Sequence, residues 1–174
     1  MEQRVKERIA RAKELLNTAK HAAMATVNAD GTPHNSPFYL IVDETLEHIY
    51  FGSHPESLHS QNVMRTEQMF VVVYDMIERG GLYMRAVNGR QLAGEELARG
   101  LAIHNQKRAR DNKEPLLQSY YEGDNPQRMY GADLVGFWVN AAERGADGLI
   151  IRDYRLEVAR SQLAPVFADT NVNF

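Results

Sequence analysis

The amino-acid sequence predicts a mainly β protein, a small closed antiparallel barrel with helices at its periphery. The first observation is that several segments have the alternating or β-branched composition that is typical of strands. The second is that short turns connect most of these segments. Strands joined so closely pair antiparallel, because a parallel pair needs a crossover of about a dozen residues or more. The third is that helical periodicity is confined to the amino end and to two segments between strands.

Length and composition exclude several classes of protein. The chain has 174 residues, 44% hydrophobic and 25% charged, so we expect a single globular domain over residues 1–174. Lys and Arg total 20 against 23 acidic residues, and a net charge of -3 gives no concentrated basic face for nucleic acid or an anionic membrane. The absence of cysteine excludes disulfides, zinc–thiolate sites and cysteine nucleophiles. With no apolar run that suits a signal peptide or a membrane span, the sequence predicts a cytoplasmic protein.

The first element is a predicted helix within residues 1–18. Four apolar residues recur there at helical spacing and share one face: Val5, Ile9, Ala12 and Leu16. Charged residues occupy the other faces, so we expect this helix to lie against a larger body.

Residues 20–110 are predicted to form the barrel core and a helix. An Asp-Gly turn at 30–31 joins the first two strands, and this dipeptide between apolar runs is a strong hairpin signal. The predicted strands of this region are 22–27, 33–42, 46–53, 69–74 and 82–92.

Two helices are predicted between these strands. Residues 55–64 form the shorter one, and Ser53 and Glu56 before it have the spacing of a capping box. Residues 94–110 form the longer one, which is acidic at its start and basic at its end, as the helix dipole favours.

The carboxyl-terminal third is predicted to begin with a loop. Residues 111–131 are polar, turn-rich and aromatic. Residues 132–174 return to strand composition at 134–139 and 149–158 and end in a tail.

The junction between the third strand and the short helix has the residue types of a phosphate site. The strand ends in Gly52-Ser53, and the start of the helix exposes backbone N–H groups that no helical carbonyl accepts. Ser53 and Ser57 add hydroxyls, and His54 and His59 can add positive charge. The alternative is that Ser53 only caps the helix and both histidines are solvated.

The order of the motifs resembles the FMN-binding split-barrel family typified by pyridoxamine 5′-phosphate oxidase. The resemblance spans roughly residues 20–110. It implies a six-stranded antiparallel split barrel with Greek-key character. It also implies a homodimer with FMN in a groove at the subunit interface and a small-molecule substrate. The motifs are Ala-Thr-Val at 25–27, Asp-Gly-x-Pro at 30–33, Ile-Tyr-Phe-Gly-Ser-x-x-x-Ser-Leu-His at 49–59, Val-Val-Val-Tyr at 71–74 and Arg-Ala-Val-Asn-Gly at 85–89.

The resemblance also implies which residues contact the cofactor. The stretch expected along the isoalloxazine ring is Asn35, Ser36, Pro37 and Phe38. The family's aromatic–Thr pair corresponds to Gly52-Ser53, its Ser-x-Lys/Arg phosphate clamp to Ser57-Leu58-His59, and its glutamine contact falls near Met84. Trp138 and Arg144 loosely match the family's substrate-phosphate residues.

Two positions depart from the family pattern. His59 stands where a lysine or arginine is usual, so the clamp has no permanent charge at that position. The second strand has no arginine at the ring, and Arg65 and Arg85 are candidates to compensate.

The predicted function is therefore an FMN-binding oxidoreductase related to pyridoxamine 5′-phosphate oxidase, with an unknown substrate and no assignable catalytic residue. The alternatives are a flavin- or haem-binding sensor without turnover, with His104 as a haem ligand or a structural residue, and a reductase that uses F420. The histidine spacing predicts no metal site, and Ser36 and Ser119 have no hydrolase context. Three tyrosines either stack on a planar ligand or anchor the loop: Tyr120, Tyr121 and Tyr130.

Overall fold

A computed structural model describes residues 2–75 and 80–167 of the chain. Within those ranges one antiparallel sheet contains eight strands. The strands are β1 (His21–Val27), β2 (Pro33–Tyr39), β3 (Ile41–Val42), β4 (His48–Ser53), β5 (Met69–Asp75), β6 (Gly80–Gln91), β7 (Arg128–Arg144) and β8 (Ile150–Glu157). The helices are α1 (Glu2–Thr18), α2 (Leu58–Thr66), α3 (Gly94–Arg110) and α4 (Arg160–Leu163), with a 3₁₀ turn at Gln118–Tyr121.

The sheet closes into a barrel because β2 and β3, which lie at its two ends, are parts of one bent strand. Its order is β2-β1-β5-β6-β7-β4-β3, and a single residue, Leu40, separates β2 from β3. Since β2 pairs with β1 and β3 pairs with β4, the two segments act as one strand that completes a six-stranded barrel. β8 pairs with the far part of β7, outside this ring. The predicted barrel is confirmed, and the β1–β5 and β4–β7 neighbours give it Greek-key connections.

The barrel interior is the main hydrophobic core. Alternate residues of each strand point inward, so Met24, Phe51 and Met84 are buried completely or nearly so. Each such side chain contributes about 1.5 to 3 kcal/mol through burial. α1 packs against β6 and β7 with Ala12 and Leu16, two of the four residues predicted for its apolar face.

A second, smaller core lies between the outer side of β4 and helix α3. Tyr50 and Ile41 pack there against Leu97 and Leu101 of α3. Gly100 allows the close approach, because a Cβ at that position would lie 3.0 Å from Leu92 and 3.1 Å from Tyr50. The two cores are therefore on opposite faces of β4.

Three predicted elements differ from the observed ones. The short helix begins at Leu58 rather than 55, because residues 54–57 form a turn that the Ser57 N–H closes onto the His54 carbonyl at 3.0 Å. The predicted loop 111–131 contains the 3₁₀ turn and the first residues of β7. β7 is far longer than 134–139, since it pairs in turn with β4, β6 and β8. The predicted tail beyond residue 167 lies outside the described residues.

None of the helices in the described ranges is long and apolar enough to span a membrane.

Candidate functional site

The end of β4 and the start of α2 form a polar corner at one mouth of the barrel. Ser53, the last residue of β4, is 8% exposed, and its Oγ lies 2.8 Å from Nε2 of His59. The predicted capping box is wrong: Ser53 bonds His59 instead, and Ser57 occupies the N-cap position. The Ser57 side chain makes no capping hydrogen bond. Its hydroxyl and the N–H groups of the first turn of α2 are therefore available to an anion.

Strand β2 adds a second histidine–serine pair to this corner. Nε2 of His34 lies 2.8 Å from Oγ of Ser36. Both residues are on the side of β2 that also carries Phe38, because residues two apart share a face of a strand. His34 is near enough to His59 for its positive charge to lower the pKa of His59. No local sequence signal marks His34, since only the folded barrel brings β2 to the α2 junction.

The surroundings of His59 favour its neutral form when no anion is present. Burial lowers the pKa of His59 first, and the charge on His34 lowers it further. The ring of Phe51 lies 6.0 Å from the imidazole, on the barrel side. Nδ1 of His54, the other histidine predicted here, accepts the Glu56 N–H at 3.1 Å.

Arg128 is the arginine that lies beside the corner, and the sequence analysis missed it. It is the cross-strand partner of Ser53 in the β4–β7 ladder, so the two side chains lie on the same face. Its guanidinium donates to the carbonyls of Gly123 at 3.0 Å and Gln127 at 2.7 Å. The two compensating arginines that were expected lie elsewhere. Arg65 donates to the Val27 carbonyl, and Arg85 is exposed on the outer face of β6.

The stretch predicted to contact the flavin ring divides between two faces of β2. Asn35 and Pro37 are exposed on the outer side. Ser36 points to the corner and Phe38 is buried in the core, where its ring packs 6.3 Å from that of Phe51. Only Asn35 and Pro37 can therefore offer side chains to a planar ring along the outer side of β2, and the others can offer backbone groups.

Several other predicted residues lie away from the corner. Met84 has 0% exposure in the barrel core, so its side chain does not line the predicted groove. Leu58 is exposed on the first turn of α2. Trp138 packs 6.0 Å from Phe70, and Arg144 donates to the Gly148 carbonyl in the β7–β8 turn at 2.7 Å. Trp138 is ten residues along β7 from Arg128, roughly 30 Å of strand, so one protomer does not bring it to the corner.

A cavity of about 280 Å³ lies on the other side of β4, between that strand and α3. Gly52 forms part of its wall, and a Cβ there would lie 2.6 Å from the Tyr121 hydroxyl. The wall is rich in aromatic and basic side chains, so the cavity suits a small planar anion. Its lining residues are His21, Tyr39, Ile41, Gly52, His104, Arg108, Lys113, Leu116, Tyr120, Tyr121 and Gln127.

His104 is held in this wall as a neutral residue. Its Nδ1 lies 2.9 Å from the Tyr121 hydroxyl, and the Tyr39 ring packs 5.6 Å away. Burial, with the charges of Arg108 and Lys113, lowers the pKa of His104 to about 4. Of the three loop tyrosines, Tyr120 and Tyr121 line the cavity, whereas Tyr130 is buried in the core and stacks 4.9 Å from Phe51. Tyr130 is thus not a platform for a ligand.

A group of Asp43, Glu47 and His48 has metal-ligand chemistry but closes a turn. The Asp43 carboxylate accepts the N–H groups of Glu47 at 2.8 Å and His48 at 3.1 Å, and also faces His48 Nδ1 at 2.8 Å. Its oxygens are thus already used by the β3–β4 connection.

The comparisons with known proteins give a structural likeness. No protein-family model matches the chain, and no curated protein matches it in sequence. An FMN-binding protein related to pyridoxamine 5′-phosphate oxidase, from Nostoc punctiforme, is similar with a TM-score of 0.52 and 11% identity, over 88% of this chain and 95% of that one. An F420 reductase is similar with a TM-score of 0.53 and 17% identity, over 72% and 94%. HutZ, the heme storage protein of Vibrio cholerae, gives a TM-score of 0.58 and 18% identity, over 75% and 92%.

These likenesses define the class of fold. The chain has the split β-barrel of pyridoxamine 5′-phosphate oxidase-like proteins, as the motif order predicted. The neighbours include FMN-binding, F420-reducing and heme-storing proteins, and at 11–18% identity the shared feature is the fold. The chain spans 61% of the length of a further match, the protein Atu2129 of unknown function from Agrobacterium tumefaciens.

Proposed function

We propose that this protein binds FMN and acts as a flavin-dependent oxidoreductase, with the cofactor phosphate in the corner between β4 and α2. The observation that carries the proposal is the free N-terminus of α2, where Ser57 makes no capping bond beside the Ser53–His59 pair. The residues present fit a phosphate: two hydroxyls, first-turn amides and a histidine converge, and the helix dipole favours an anion there.

The chain's own residues would bind and orient the cofactor. Ser57 and the α2 amides would donate to the phosphate, and Asn35 and Pro37 would face the ring along the outer side of β2. When bound, FMN supplies hydride or electron transfer. The cavity lined by Gly52 would receive the substrate, since Tyr39 of its wall lies on the same outer side of β2 as Asn35 and Pro37.

We also propose that the protein is a homodimer with the cofactor at the interface. The outer face of β1, β5, β6 and β7 exposes large apolar side chains, with Tyr74 58% and Val135 46% exposed. Monomeric proteins seldom leave such an apolar sheet face in water. In such a dimer, Trp138 and Arg144 of the second copy would lie near the substrate bound to the first.

The absorption spectrum of the purified protein, reconstituted separately with FMN, F420 and haem, tests the cofactor. Retention of FMN through gel filtration, with two flavin bands, is expected. Retention of F420 alone, with its single band, would replace the proposal with a deazaflavin reductase. A Soret band with no bound flavin would replace it with a haem protein. Substrate-dependent bleaching of bound FMN under anaerobic conditions then distinguishes an oxidoreductase from a sensor.

A further inference from the structure

Two histidine–serine pairs face each other across the corner, although a single cationic residue would suffice for a phosphate. One pair is His59–Ser53, on α2 and β4, and the other is His34–Ser36, on β2. Both join Nε2 to Oγ at 2.8 Å. α2 packs against β2 and β2 against β4, so the pairs belong to one site.

The proton on each imidazole determines which way its serine hydroxyl points. If Nε2 is unprotonated, the hydroxyl donates to it and turns its lone pairs toward the corner, which repels an anion. If Nε2 carries a proton, it donates to Oγ, and the hydroxyl hydrogen is free to donate to a phosphate oxygen. For Ser53 the other acceptor within reach is the His54 carbonyl at 3.4 Å, a long contact.

We propose that the corner is a proton-coupled phosphate site, in which His34 and His59 each take up one proton from solvent as a phosphate dianion binds and so turn the Ser36 and Ser53 hydroxyls toward it. The inference rests on the proposed FMN function and adds His34 and Ser36 as phosphate-binding residues. Binding then joins the dianion and two protons to the neutral site, and the site releases all three together.

The neighbouring groups leave the two histidines as the residues that titrate. On the α2 side, Nδ1 of His54 accepts the Glu56 N–H, and Glu56 is exposed to solvent. On β4 the neighbours are Phe51 and Ser53. On β7, burial raises the pKa of Tyr130, which stays protonated.

The remaining neighbours have a fixed state between pH 7 and 8. Arg128 of β7 keeps its charge throughout this range. On β1 the cross-strand partner of His34 is Thr26, which is uncharged. A positive charge on His34 lowers the pKa of His59, so the charged forms of the two imidazoles oppose each other until an anion arrives.

The test is the pH dependence of FMN affinity between pH 7 and 8, where a phosphomonoester with a second pKa of about 6 is already a dianion. Each proton taken up weakens affinity about tenfold per pH unit. We expect the Kd for FMN to rise about 100-fold in the wild type and about tenfold in His34→Gln. Riboflavin, which lacks the phosphate, should bind with no such dependence.

His48→Gln is the matched control, since His48 is also hydrogen-bonded but lies at the opposite end of β4. It should keep the wild-type pH dependence. Histidine NMR titration of the unmutated protein gives a second readout that needs no variant: the pKa values of both His34 and His59 should rise when FMN binds.

Other results overturn the proposal in distinguishable ways. A tenfold change that is the same in wild type and His34→Gln leaves the FMN site standing but removes the two-proton mechanism. The two-proton mechanism is also contradicted if the Kd for FMN does not vary with pH. It is contradicted as well if FMN leaves the pKa of His34 measured by NMR unchanged. Failure of both FMN and riboflavin to bind at any pH contradicts the proposed function itself.

Discussion

In the proposed phosphate site, we expect His59 to control the affinity of the corner. His59 is half-buried against Phe51, and burial lowers its pKa, so without an anion it is neutral at pH 7. The charge it gains on phosphate binding is worth about 1.5 to 3 kcal/mol as a charged hydrogen bond. We therefore expect this residue to make the proposed FMN affinity depend on pH.

We expect His59→Ala to weaken FMN binding about tenfold to 100-fold at pH 6.5. His59→Lys should bind FMN at pH 8 more tightly than the wild type does, because lysine keeps its charge there. Titration of FMN fluorescence quenching measures both. Equal affinities of His59→Ala and wild type at pH 6.5 would show that the phosphate does not contact this residue.

Ser57→Ala separates cofactor binding from stability. Because the Ser57 side chain makes no capping bond, the substitution should change the free energy of unfolding by less than about 0.5 kcal/mol. Loss of one hydrogen bond to a dianion should weaken FMN binding by about 1.5 kcal/mol or more and leave riboflavin unaffected. Chemical denaturation of the apoprotein and parallel ligand titrations measure the two effects. A stability loss above about 1 kcal/mol with unchanged FMN affinity would identify Ser57 as a plain helix cap.

The individual residues of the candidate site also show which parts of it could be predicted from the sequence. Ser53, Ser57 and His59 were identified because they lie within seven residues, 53–59, at a strand–helix junction. His34 and Arg128 were not, since both reach the corner through long-range strand packing that leaves no local signal. Met84 was expected near the cofactor, and Tyr130 was expected either to stack on a ligand or to anchor the loop, but both are core residues.

Helix α3 was predicted with its observed bounds, because the sequence signals that define its two ends are local. It begins at Gly94 with Glu95 and Glu96 in the first turn and ends with Lys107, Arg108 and Arg110 in the last. The charges match the dipole at both ends. β7 was predicted at a third of its length, because pairing with three partner strands extends it through segments whose own composition is polar.

His104 of α3 makes the free energy of unfolding depend on pH. Its pKa is about 4 in the folded protein and near 6.5 when unfolded, so below pH 6.5 the unfolded chain binds a proton that the folded one does not. The stabilisation is fully present above pH 6.5 and is lost as the pH falls toward 4. We expect His104→Asn to reduce this loss, measured by urea denaturation at pH 7 and pH 5.

A structural control accompanies that measurement. Tyr121→Phe removes the hydroxyl that faces His104 Nδ1 and should destabilise the protein by about 1 to 3 kcal/mol at pH 7. If wild type and His104→Asn lose the same stability between pH 7 and 5, His104 does not carry the acid sensitivity.

At the scale of the whole molecule, the apolar outer face of the barrel predicts a dimer. It includes Phe70 and Tyr74 on β5 and Val135 and Trp138 on β7, the two strands that flank β6, and Arg155 covers part of it, 5.3 Å from the Phe70 ring. We expect Val135→Asp to convert a wild-type dimer to a monomer in light scattering after gel filtration, because a buried unpaired carboxylate costs several kcal/mol.

Leu117→Asp is the control for that substitution. Leu117 is 76% exposed but lies in the segment before the 3₁₀ turn, away from the outer face. Its variant should remain a dimer. A wild type that is monomeric at high micromolar concentration would contradict the interface and with it the source proposed for a second Trp138.

The sequence predicts the barrel as a whole, because inward-facing residues alternate along most strands. It does not predict how the barrel closes. Nothing in the composition of residues 33–42 indicates that the strand bends at Leu40 and serves both ends of the sheet. That property depends on β1 and β4 meeting the same strand, which is a fact of the tertiary fold.

The pairing of Ser53 with Arg128 means that the proposed anion pocket is assembled from the early and late parts of the polypeptide. During synthesis the serine emerges well before the arginine, so the two cannot pair until the chain has been made as far as residue 128. A nascent chain released before residue 128 would lack one wall of the pocket. We accordingly expect loading of the proposed cofactor to follow completion of the barrel and to report on it.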